Sequence, residues 1–98
     1  MSYKRKEQKL KNIANIYLRS IFIHIYRSQS TNYQRVNSFQ SAVELAYASL
    51  TAPLKQIINN DFFYQNYPGW WKSKYNKISY IKMRMTAINK FLEVFYEI

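Results

Sequence analysis

Apolar residues first recur along the chain at Leu10, Ile13, Ala14, Tyr17, Leu18, Ile21 and Ile25, the three- and four-residue steps of one helix face. This spacing predicts a first helix from Lys6 to about Arg27. Phe22, Ile23 and Tyr26 widen its apolar arc toward the end, and Ile21 to Tyr26 alternates in a way that also suits a strand. Helix is preferred because no partner strand follows. The polar stretch Ser28 to Gln34 holds cap-forming residues and predicts a loop. A second helix is expected from about Asn37 to Leu50, opened by an Asn37/Gln40 capping box and buried along Phe39, Val43, Ala46, Tyr47 and Leu50.

Thr51 is placed to cap a third helix, with Pro53 in the first turn, where its missing amide hydrogen would have no partner anyway. Leu54, Ile57, Ile58 and Phe62 make its inward face, and Pro68-Gly69 marks the turn that must follow it. The run Trp70 to Tyr75 is long enough for a short fourth helix, and Asn76 offers a cap for a final helix reaching nearly to the end. The fold class this predicts is all-α: a small helical domain ending in a helix-turn-helix.

Composition narrows the reading further. In 98 residues without a Gly-, Pro- or Ser-rich linker, an apolar share of 48% and an aromatic share of 18% supply one modest core. A single compact domain is expected, with residues 1–35 as a basic amphipathic helix and loop and residues 36–98 as the helix-turn-helix unit. There is no Cys, and His24 is the lone His, so a disulfide, a thiol nucleophile and a Cys/His zinc site are all excluded within one chain. His24 reads as a partly buried packing residue. One Gly cannot build a phosphate loop, and the five carboxylates are scattered, which argues against an enzyme and implies no cofactor. The basic start Met-Ser-Tyr-Lys-Arg-Lys leads into a segment broken by Asn12, Asn15, Arg19, Ser20 and His24. That fits neither a signal peptide nor a spanning helix of about 20 apolar residues. No membrane insertion and a cytoplasmic location are expected.

Fifteen Lys and Arg against five Asp and Glu give a net charge of +10, which calls for a polyanionic partner. Richness in Asn, Ile, Lys and Tyr accounts for part of this total, so the placement of the charges is more telling. Six basic residues and no acidic one lie between Trp70 and Lys90. On the final helix, Tyr80, Ile81, Met83, Met85, Ala87, Ile88, Phe91, Leu92, Val94 and Phe95 share a broad apolar side, while Ser79, Lys82, Thr86, Asn89, Lys90 and Glu93 share the other.

A short helix followed by a capped, basic, two-faced helix is the order of a DNA-reading unit. Lys72, Lys74 and Lys77 are expected at phosphates, and Ser79, Lys82, Thr86 and Asn89 toward the groove. Arg84 falls inside the apolar arc and needs a carboxylate, with Glu44 and Asp61 as the partners within the chain. Trp70 and Trp71 read as packing residues before base-stacking ones, and Met83 and Met85 as core filler.

The runs Leu50 to Ile58, Asp61-Phe62-Phe63, Trp70-Trp71 and Tyr75 to Arg84, with Ala87-Ile88 and Phe91, resemble the C-terminal helix-turn-helix of sigma-factor region four. They are similar to those of phage-type ArpU and RinA transcriptional regulators and of small sigma-like proteins of low-GC bacteria such as Mollicutes. Asn76 and Ile78 stand where that family carries Ser, Ser79 where it carries Thr, and Ile81 where it carries Tyr. The resemblance spans roughly Val36 to Phe95 and implies DNA binding in transcription, with RNA polymerase as a further partner. The competing reading is a non-enzymatic interaction protein that binds polymerase, a ribosome or another chain through its apolar helices. RNA binding through Lys4-Arg5-Lys6, Lys9 and Lys11 ranks below both. The wide apolar arc of the last helix and the surface at Phe22, Ile23 and Tyr26 must cover each other, either within a chain or across a homodimer, with intrachain packing preferred.

Overall fold

The computed structural model of the chain describes residues 2–26 and 33–97. Four α-helices follow one another: α1 (Tyr3–Tyr26), α2 (Tyr33–Ala48), α3 (Ala52–Ile58) and α4 (Lys77–Glu97). A π-helical turn (Asn59–Phe63) extends α3, and a 3₁₀ turn (Trp70–Ser73) precedes α4. The domain is small and all-α, with no strand among the described residues.

The first helix starts earlier than its apolar stripe suggests because Ser2 caps it. The Ser2 hydroxyl accepts from the Arg5 amide at 3.3 Å and its carbonyl accepts from the Lys6 amide at 3.1 Å, satisfying amides that a helix start leaves free. The ambiguous run Ile21 to Tyr26 is helical. The second helix also begins earlier, at Tyr33, so Asn37 lies within it rather than at its start. The side chains of Phe22, Ile23, His24 and Tyr26, the start of the expected loop, and the question of what covers that apolar surface fall outside the described residues.

Thr51 occupies the N-cap position of α3 with extended backbone, but its side chain makes no capping bond. The carbonyl alone takes the Lys55 amide, at 2.9 Å. At the other end of α3 the helix widens, and the Tyr64 amide reaches back five residues to the Asn59 carbonyl at 2.9 Å, the bond of a π turn. The extra residue in that turn lets both Phe62 and Phe63 point inward. Phe63 sits edge-on to Tyr17 at 5.7 Å and tilted against Phe91 at 6.2 Å.

One core joins all the long helices: Leu10, Ile13 and Ala14 of α1, Val43 and Ala46 of α2, Ile58 of α3, Phe62 and Phe63 of the π turn, and Ala87, Ile88, Phe91 and Leu92 of α4. Between α1 and α2, the buried Ser20 hydroxyl donates to the Tyr17 carbonyl at 2.7 Å and accepts from Gln40 at 3.2 Å, so its burial leaves no polar atom unpaired. No helix among the described residues is long and apolar enough to cross a membrane.

The fourth short helix expected at Trp70 to Tyr75 is instead a single 3₁₀ turn. Tyr67 to Trp70 forms a type II turn with Pro68 and Gly69 at its centre: Gly69 has φ 81° and ψ 12°, and the Trp70 amide donates to the Tyr67 carbonyl at 3.3 Å. Only Gly adopts that φ without strain. Between this turn and the cap at Asn76 the chain has room for little more than one tight turn.

The Asn76 side-chain oxygen accepts the Ser79 amide at 2.8 Å, the bond expected of an N-cap three residues ahead. Asn76→Ala should lower stability by about 1 kcal/mol. Thermal melts of the two proteins check this, and an unchanged midpoint would show that the cap contributes nothing.

Candidate nucleic-acid interface

The first half of α4 is held in place by a polar cluster beneath it. Arg84 points inward: its Nε donates to Asp61 Oδ2 at 2.9 Å, and its Nη1 donates to Glu7 and to the Tyr3 hydroxyl. The guanidinium also lies over the Phe62 ring, 4.8 Å from its centre. Asp61 takes two more donors, Trp70 Nε1 at 2.8 Å and the Tyr80 hydroxyl. These contacts tie α1, the π turn, the 3₁₀ turn and α4 together.

Arg84 thus finds one of its two expected partners, Asp61. The other, Glu44, instead accepts from the Tyr17 hydroxyl at 3.2 Å across the α1/α2 boundary. Glu7 was missed, although it carried a signal. It sits with Tyr3, Leu10 and Ala14 at helical spacing, so a carboxylate stands in the core-facing stripe of an otherwise basic helix.

The electrostatics follow from the geometry. Burial works against the Arg84 charge, but its hydrogen bonds to Glu7, Asp61 and Tyr3 outweigh it, and the guanidinium is held charged more firmly than usual. Burial and the Asp61 carboxylate push the Tyr80 hydroxyl up, so it remains a neutral donor. The two tryptophans divide their roles. Trp70 is buried and meets Tyr80 edge-on at 6.2 Å, while the half-buried Trp71 stacks on the Tyr80 ring at 4.3 Å and 8°.

The outer face of α4 differs from the expectation in one respect. Of the residues assigned to the apolar side, Ala87, Ile88, Phe91 and Leu92 are buried, but Ile81 and Met85 are exposed, as is Ile78. The core reaches only as far as the neighbouring helices cover α4, and its first two turns stand beyond them on one side. Lys82 is exposed and shares this outward face with Ile78, Met85, Thr86 and Asn89. Lys77 is exposed at the start of the helix, and Lys72 and Lys74 are exposed on the preceding turn. The Lys72 chain folds back over Gly69, where an added Cβ would meet its Cε at 3.2 Å.

Of the three other predicted site residues, two side chains already have hydrogen-bond partners. Ser79 is half-buried in the first turn, the Thr86 hydroxyl donates to the Lys82 carbonyl at 3.0 Å, and the Asn89 side-chain oxygen accepts from Lys6 Nζ at 2.8 Å. That last bond brings the basic start of α1 alongside the outward face of α4. Sequence spacing alone had kept these two basic segments apart.

Away from this face, a cleft of about 220 Å³ opens between Tyr17, Val43, Glu44, Tyr47, Asn59, Phe63 and Tyr64. Its polar pair is Tyr17 and Glu44: burial and the Glu44 carboxylate push the Tyr17 hydroxyl up to about 12, so it is a neutral donor at physiological pH. Among the described residues, no three His, Cys, Asp or Glu side chains gather where they could hold a metal ion. No protein-family model, curated protein or solved structure matches the chain.

Proposed function

We propose that this chain binds double-stranded DNA, with the first half of α4 entering the major groove and the surrounding lysines on the phosphates, and that it acts in transcription. The observation that carries this reading is that the acids beside the first half of α4 are turned inward while its lysines stay outside. Glu7 and Asp61 turn inward onto Arg84, whereas Lys72, Lys74, Lys77 and Lys82 are all exposed. The helix start adds its own partial positive charge.

An α-helix about 10–12 Å across fits a major groove about 12 Å wide. The deep, narrow major groove of duplex RNA admits no helix, which ranks RNA second. The role in transcription, and RNA polymerase as a further partner, rest on the resemblance to sigma-factor region four.

The test is a titration of the full chain against duplex DNA, duplex RNA and single strands at several salt concentrations. Four lysines on phosphates should give a log–log salt slope of about −4 on duplex DNA. Lys82→Ala should leave folding intact. It should reduce that slope by about one if Lys82 holds a phosphate, or cost about 1–3 kcal/mol if it reads a base. Affinity and slope both unchanged would remove Lys82 from the site, and equal binding to duplex RNA would overturn groove entry by α4.

A further inference from the structure

We infer that the outward face of α4 recognises thymine, through the C5 methyl groups that line the major groove of AT-rich DNA, with Ile78, Ile81 and Met85 as the contacting side chains. This rests on the DNA reading above and goes beyond it by naming what is read.

The three side chains are exposed at 69%, 41% and 39% and recur three and four residues apart along one edge of the outward face. None belongs to the core cluster, so their apolar surface is left open to a partner. Two polar side chains of this face that could instead read base edges are already engaged. The Thr86 hydroxyl donates within its own helix and the Asn89 oxygen is held by Lys6. The face therefore presents branched methyl groups and a thioether, bordered by Lys77 and Lys82.

Of the four bases, only thymine shows an apolar group in the major groove. From Ile78 to Met85 the helix rises about 10 Å, the length of about three base pairs at 3.4 Å each. The flanking lysines would fix register on the backbone without reading sequence, leaving discrimination to the apolar stripe. Charge selects the occupant: with no acidic residue between Trp70 and Lys90, a second copy of this face would be repelled and a polyanion attracted.

The experiment compares the full chain on one AT-rich duplex and on the same duplex with every thymine replaced by uracil, which removes only the methyl groups. The burial of one methyl is worth about a fourfold change in affinity, so two contacts should favour the thymine duplex by about fifteenfold. The salt slopes on the two duplexes should agree. Ile78→Ser and Ile81→Ser, at exposed positions, should each reduce the preference with an unchanged circular dichroism spectrum.

Equal affinity for the two duplexes with a steep salt slope would overturn thymine recognition while leaving DNA binding in place. Binding to neither duplex at low salt would overturn both readings. Tighter association with phosphatidylserine vesicles than with either duplex would assign the basic apolar face to a membrane surface and overturn the inference as well.

Discussion

Arg84→Met should destabilise the protein by about 3–5 kcal/mol, the usual loss when one partner of a buried ion pair is removed. The side chains of Arg84 and Asp61 are only 15% and 12% exposed, so water replaces little of what the guanidinium supplied. Asp61 would be left without a cation, Glu7 would keep only the more exposed Lys11 at 3.8 Å, and the Tyr3 hydroxyl would lose its donor. Adding Glu7→Gln and Asp61→Asn to the variant should restore part of the loss, because the uncompensated charges are then gone. Arg84→Lys should rescue incompletely, since one ammonium cannot reproduce a planar fork that reaches three partners. Urea unfolding of the four proteins measures this. A loss under about 1 kcal/mol for Arg84→Met would mean that the cluster is solvated and does not anchor α4.

The second large effect separates the adjacent tryptophans. Trp70→Ala should cost about 3–5 kcal/mol: it empties a buried aromatic site and removes the Nε1 donor from Asp61. Trp71→Ala should cost only about 1 kcal/mol, the loss of one stacking contact with Tyr80 at a half-exposed position. In a domain of this size the first loss is a large part of the total stability. Denaturant midpoints for the two variants give the comparison directly. Equal losses would show that the Trp71–Tyr80 stack is as important to the fold as the buried ring.

Several features were legible because they depend on neighbours within a turn or two of helix. Periodic apolar residues placed Leu10, Ile13 and Ala14, Val43 and Ala46, Ile57 and Ile58, and Ala87, Ile88, Phe91 and Leu92 on inward faces. Asn76 announced its own helix, Pro68-Gly69 announced its turn, and the position of Arg84 in an apolar arc showed that it needed a carboxylate.

What tertiary structure alone decided has a different cause. Glu7 and Asn89 acquired their partners from segments far away in sequence, and no local pattern states which helix will lie beside another. The π turn displaced Phe63 and Asp61 from simple helical phase, and a 3₁₀ turn replaced a helix where two fixed ends left too little chain. Ile81 and Met85 have the spacing of core residues, and only the reach of the surrounding helices left them outside. Periodicity says which face of a helix is apolar, but burial depends on whether another element arrives to cover it.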